Sequence, residues 1–247
     1  MKLLKERSFQ VLSLVSVLVV WEIAARLVNL GDTYPAPSRV APDFFDLLIS
    51  GDAFGPLGST LGRTATGFTL GFVAGVLYGI FVYMSPRFDE YSRGLFNITM
   101  FSPTLIIIFV GLIVIGRTFF GVVLIVAFCI FAEVGVYMRD AFRNFDNEML
   151  AMSRSYKVET VQRVREMYLP FLAPAMLAAS RIGFTLAWKV AFLCEVFGFP
   201  EGLGWKVRSS YRIYDMPMLL AWLTLFIVTL LIIEQLIRTT ERAVVKW

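Results

Sequence analysis

"DNEMLAMSRSYKVETVQRVREMYLP" runs from Asp146 to Pro170, between two long apolar stretches of a 247-residue chain. It has helical periodicity in two pieces. In the first, Met149, Met152 and Tyr156 recur at i+3 and i+4, with Asp146 placed to cap the start. In the second, Val161, Val164 and Tyr168 share a face while Gln162, Arg163 and Arg165 point elsewhere. Leu169-Pro170 opens the next apolar run, with Pro170 and Pro174 suited to a first turn or a kink. Two readings follow: a groove-filling face offered to a partner, or a helical hairpin packed on its own loops.

The surrounding composition is that of a membrane protein. The chain is 57% hydrophobic and 17% charged, against about a quarter charged in soluble domains, and its mean hydropathy is +0.71. Histidine is absent, which removes the commonest metal ligand and general base. The net charge of +4 comes from basic residues spread over the loops, so no nucleic-acid stripe forms. Cys129 and Cys194 both fall in apolar runs, which argues against a disulfide framework. The N-terminus resembles a signal peptide, with a basic start and an apolar core. No small-x-small cleavage site follows, and an uncleaved first membrane helix is the better reading.

A spanning helix needs about 20 mainly apolar residues. Six segments qualify, at roughly 9–30, 61–84, 95–115, 119–138, 172–194 and 217–237. In the first, Glu22 and Arg26 are spaced to pair; in the third, Pro103 should kink or break the helix. Six spans put both termini on one side. That side then carries fourteen of the 23 lysines and arginines and the other seven, with Arg181 and Lys189 inside the fifth span. The bias assigns the termini, and with them 146–170, to the cytoplasm. The expectation is an all-α membrane protein with a single transmembrane domain over 1–247: a core at 61–237, an inner loop at 139–170 and an outer loop at 31–60. Within the outer loop, Val40, Phe44, Phe45 and Leu48 suggest a short surface helix.

Gly67, Gly71, Gly75 and Gly79 recur at i+4, a face that lets another helix backbone approach closely. Packing within the chain and a dimer interface are both compatible with it. Ionisable groups within a membrane face a protein interior or a cavity. Glu133, Arg181 and Lys189 are such groups, and Glu195 ends the fifth span. Lys189, next to Trp188, is either a cationic point in a translocation path or half of an ion pair with Glu133 or Glu195. No P-loop, nucleophile–base pair or metal-ligand spacing occurs, so the expectation is a non-enzyme with no catalytic residue, metal or bound cofactor.

The 146–170 stretch resembles the cytoplasmic loop of permease subunits of bacterial ABC importers, in the sulfonate, taurine and nitrate branch. Glu148, Leu150, Arg154, Ser155, Gln162, Arg165, Leu169 and Pro170 match its pattern. "YPAPS" (34–38), "STLGRTATGF" (59–68), "FSPTLIIIFVGLIVIGRT" (101–118) and "SRIGFTLAWKVAFLCEVFGFPEGLGWKV" (180–207) resemble further segments in order, so nearly the whole chain is covered. Two departures stand out. The E-A-A triplet is Ala151-Met152-Ser153, and the family glycine is Lys157. The contact with the ATPase is then weaker, built on other residues, or shared with a second permease.

The resemblance implies a type I ABC importer permease with six helices in the bacterial inner membrane. Its partners would be two cytoplasmic ATPases carrying the ATP, a second permease (the same or a related chain), an extracytoplasmic solute-binding protein and membrane lipid, with no nucleic acid. Glu148, Met152, Arg154, Tyr156 and Lys157 would form the coupling loop, and Glu133, Trp188 and Lys189 the path. The rival is an ATP-independent secondary transporter or channel gated by Lys189 and the carboxylates, which leaves 146–170 without a role. A membrane scaffold is weaker, because it needs no Arg181 or Lys189 within a span. Sulfonates, taurine, nitrate, small carboxylates and heterocyclic vitamin precursors all remain open as solutes, and Lys189 leans the choice toward an anion.

Overall fold

Apolar segments in a bilayer must satisfy their backbone hydrogen bonds internally, and helices do so. The computed structural model describes residues 2–28, 31–145 and 147–244, and among these every regular element is helical. The order is α1 (Lys2–Val28), a 3₁₀ turn (Gly31–Thr33), α2 (Pro37–Ile49), α3 (Phe54–Met84), α4 (Pro86–Phe101), α5 (Thr104–Val114) and α6 (Phe119–Arg143). Then come α7 (Asn147–Ser155), α8 (Thr160–Arg163), a π turn (Val164–Tyr168), α9 (Leu169–Phe197), α10 (Leu203–Arg212) and α11 (Met216–Val244).

Among the described residues, Phe54–Met84, Phe119–Arg143, Thr160–Phe197 and Met216–Thr240 are each long and apolar enough to cross a bilayer. The segment expected at 95–115 is two helices, α4 and α5, bent by 100°. Pro103 is the cause. It lacks an N–H and disfavours helical backbone in the residue before it, so Ser102 (ψ 128°) and Pro103 (ψ 127°) are both extended. Thr118 restarts the chain as α6 by accepting from the Gly121 N–H at 3.0 Å.

Two compact units emerge. One comprises residues 1–59 and 200–229, the other 60–199 and 230–247. In the first, Arg26 pairs with Glu22 at 2.6 Å. Glu22 also accepts from the backbone and hydroxyl of Ser38, at 3.0 and 2.8 Å, which ties α1 to the start of α2. The surface helix expected in 34–59 is α2, whose buried residues are Val40 and Leu47 while Phe45 is exposed. Lys206 of α10 lies over the Trp222 ring at 5.5 Å.

In the second unit α6 and α9 form the most extensive helix pair. Their shared core holds Val126, Ile130, Val134, Ala187, Val190, Ala191 and Cys194. Both cysteines are free and buried. The glycine face of α3 lies against α6 of the same chain. A Cβ at Gly67 would fall 2.7 Å from Val126 Cβ, at Gly71 2.5 Å from the Ala127 carbonyl oxygen, at Gly75 2.8 Å from Val134 Cβ, and at Gly79 2.5 Å from Met138 Cβ. Close helix approach is what the four glycines serve here.

Candidate functional site

Three features on the second unit carry chemistry: the 147–168 hairpin, a charged cleft, and a buried ion pair.

The hairpin is α7 followed by α8 and the π turn. Asp146 lies outside the described residues, as do the side chains of Met149 and Arg154, so the cap expected at Asp146 is not part of the description. Lys157, at the bend, has φ +53°. The chain there needs a left-handed residue, which glycine supplies without a Cβ penalty and lysine does not. Val158 N–H donates to the Ser153 carbonyl at 3.1 Å and Tyr156 N–H to Met152 at 3.1 Å, closing α7 just before that bend. Glu148 and Lys157 are exposed. The apolar side chains point away from the rest of the unit, with Met152 56%, Tyr156 76% and Val161 76% exposed. A hairpin packed on its own loops would bury them. Tyr168 behaves differently: it is half-buried, and its ring stacks on Phe145 at 4.6 Å.

The cleft holds about 360 Å³ and is lined by Glu133 of α6, Arg181, Ile182, Thr185, Leu186 and Lys189 of α9, and Glu234 of α11. Arg181 and Lys189 lie two turns apart on α9, about 12 Å along its axis, with Thr185 between them. Lys189 is exposed to the cleft and, among the described residues, forms no ion pair. Glu234 pairs with Arg238 at 2.6 Å. Trp188 is fully buried and does not line the cleft. Glu133 and Lys189 therefore share one opening, and Trp188 lies outside its lining.

Glu195 is not the partner of Lys189. Arg63 of α3 donates to Glu195 Oε1 through Nη2 at 2.6 Å and Nε at 3.1 Å, and Thr60 Oγ1 donates to Oε2 at 2.9 Å. Arg63 and Glu195 are 1% and 0% exposed, and the guanidinium lies 4.4 Å from the Phe199 ring centroid. Two arginine N–H groups on one carboxylate oxygen and a hydroxyl on the other make such burial tolerable. In the sequence Arg63 stands near the start of an apolar segment, 132 residues from Glu195. The only available signal was that two opposite charges interrupt otherwise apolar helix ends.

At the other end of α3, Asp89 Oδ2 accepts from Arg93 Nη2 at 2.8 Å and from Arg143 Nη2 at 2.5 Å, joining α4 to the end of α6.

The first unit contributes a separate polar hollow of about 390 Å³, lined by Asp32, Arg39, Asp43, Tyr214 and Asp215 among others. Burial and then the neighbouring Asp215 carboxylate push the Asp43 carboxyl above the ordinary aspartate range.

Comparison with known proteins places this arrangement. The family described as "Binding-protein-dependent transport system inner membrane component" matches residues 67–244. An aliphatic sulfonates transport permease protein, SsuC of Bacillus subtilis (strain 168), is 23% identical over 232 residues, spanning 94% of this chain and 84% of the relative. The formylaminopyrimidine transport permease protein ThiX of Halalkalibacterium halodurans is 25% identical over 233 residues, spanning 92% and 91%. Among solved structures, the inward-facing MetNI methionine ABC transporter superposes with a TM-score of 0.68 at 19% identity, covering 81% of this chain and 97% of that one. An amino acid ABC transporter gives 0.62 at 20% identity, covering 82% and 94%. The fold is thus that of type I ABC importer permeases, and the chain belongs to the family of binding-protein-dependent transport system inner membrane components, the permease subunits of ABC importers.

Proposed function

We propose that this permease couples to a pair of cytoplasmic ATPases through its 139–170 segment, and that ATP is hydrolysed on those partners rather than on this chain. The observation that carries the reading is the outward-facing apolar set Met152, Tyr156 and Val161, held on a short hairpin between two spanning helices. Exposed apolar side chains grouped in this way mark a protein contact. The exposed Glu148 and Lys157 give that contact a charged rim, and Arg154 belongs to the same loop in the family pattern. Six spans, with α1 and the bent α4–α5 pair completing the four continuous ones, leave both termini in the cytoplasm of a bacterial inner membrane. A second permease completes the translocation path, and an extracytoplasmic binding protein delivers the solute. Exposed apolar side chains along α1 and α11, such as Leu12, Val17, Leu231 and Ile232, face lipid.

The path runs past Glu133 and Lys189, with Arg181 beside them. A cation exposed within a span attracts an anionic solute. A small sulfonate therefore suits the cleft better than a neutral heterocycle, and the relative named for aliphatic sulfonates supports that choice. The ATP-independent alternative leaves the exposed hairpin without a partner.

A photo-crosslinker in place of Tyr156 tests the coupling reading. In native membranes it is expected to capture a P-loop ATPase, and a crosslinker at Glu201, in the α9–α10 connection, is expected not to. Capture of the ATPase from Glu201 and not from Tyr156 would overturn the assignment.

A further inference from the structure

The turn joining α8 to α9 is wider than an α-helical turn. Leu169 N–H donates to the Val164 carbonyl, five residues back. Its sequence cause is Pro170, which has no N–H to offer the carbonyl of Glu166, so an α-helical ladder cannot run unbroken through that point. A π turn absorbs the mismatch by carrying one extra residue, and such turns are frequent at functional sites. One residue corresponds to about 100° of rotation, so the π turn sets which way the side chains before α9 point.

In the observed register the Tyr168 ring is carried onto a cluster drawn from three helices. It stacks on Phe145 (4.6 Å, 18° between planes) and meets Tyr83 edge-on at 6.0 Å, with the two hydroxyls 3.3 Å apart. Tyr83, at the end of α3, stacks on Phe142 of α6 (5.1 Å, 24°). Phe145 meets Phe171 of α9 edge-on at 5.0 Å. Five rings thus join the ends of α3 and α6 to the first turn of α9, and Tyr168 touches both sides of the junction. Packed aromatic pairs of this kind stabilise a contact beyond what their buried area gives.

We propose that the cluster welds the hairpin to α3 and α6 as well as to α9, and that Tyr168 is the positioning residue through which a displacement of α8 reaches all three helices. Without the weld, a push on the hairpin would be taken up by the π turn and passed along α9 alone. The coupling role rests on the reading of the hairpin as the ATPase contact; the weld itself does not.

Spin labels at Val161→Cys and Met84→Cys, both exposed positions, report the hairpin against the end of α3, and the native cysteines are buried. The full chain in lipid nanodiscs is expected to give a narrow distance distribution, unchanged by Tyr168→Phe, which keeps the stack and loses only the hydroxyl contact. Tyr168→Leu and Phe145→Leu keep apolar volume and remove a ring. Their distributions should roughly double in width, because lost packing frees helix shifts of about 1–2 Å. In the complex with its ATPases, vanadate trapping should leave the separation unchanged in the wild type and alter it in both leucine variants. Leucine variants that match the wild type in both preparations would overturn the proposal. Failure of the wild-type chain to recover an ATPase counts against the coupling reading alone, since the nanodisc distances still decide the weld.

Discussion

Lys157 holds a left-handed backbone at φ +53° where the family loop carries glycine. Lys157→Gly should remove about 0.5–1 kcal/mol of local strain, the left-handed cost less the entropy that glycine adds to the unfolded chain. Hydrogen exchange of the α7–α8 amides should slow accordingly; faster exchange would contradict the account. The substitution was visible in the sequence, but its backbone consequence was not, because φ depends on how α7 closes. Arg63 and Glu195 were visible too, but 132 residues of separation hid their pairing. Glu195→Leu deprives a buried guanidinium of its carboxylate and should cost about 3–5 kcal/mol, while Arg63→Met added to it should recover most of the loss. Equal instability of the single and double variants in thermal unfolding would exclude the pairing as the cause. Asp43 has the opposite sign to a salt-bridged carboxylate. Burial and Asp215 raise its pKa, so the folded state holds that proton more tightly than the unfolded chain does. Its contribution is present at low pH and is lost as pH rises through the raised pKa. Asp43→Asn should therefore raise the unfolding temperature at pH 7, with the advantage fading as pH falls toward the acid range.

At the scale of elements, periodicity and proline placement were the most legible features. The i+4 glycines announced a close helix contact, and Pro103 announced a break. What spacing could not supply was the partner: α6 meets the glycines, so this face is consumed within the chain. Gly71 is the tightest point, because a Cβ there would meet backbone that cannot swing aside. Gly71→Ala should lower the unfolding temperature in detergent. Gly62→Ala, on the same helix with nothing within 4 Å of the added carbon, should leave it unchanged. If the two variants behave alike, the α3–α6 contact is not the reason for the stripe. The apolar run at 95–115 reads as a single span, yet two consecutive extended residues turn it by 100°. The size of that turn belongs to three-dimensional packing and is not written in hydropathy. The π turn was equally hidden. Leu169-Pro170 marked a helix start, and only the backbone reveals that the helix runs on from Thr160 through a widened turn.

For the whole molecule, hydropathy and the order of family-like segments identified an importer permease, and the family match bears that out. The cleft was partly legible. Glu133 and Lys189 do share a cleft, but Trp188 does not line it, and Arg181 and Glu234 do. Lys189→Met should reduce uptake of a sulfonate such as ethanesulfonate by about tenfold, the loss of roughly 1.4 kcal/mol of charge interaction. It should leave nucleotide hydrolysis by the assembled complex intact, and unchanged uptake would remove Lys189 from the path. The central claim is that the exposed hairpin holds an ATPase. Affinity purification of the tagged chain from its native membrane, alongside Arg154→Glu and Tyr156→Ala, tests it most directly. The account predicts a P-loop ATPase recovered with the wild-type chain and dislodged from both variants. Recovery of the intact chain with no ATPase, or of equal amounts of ATPase with all three, would contradict it.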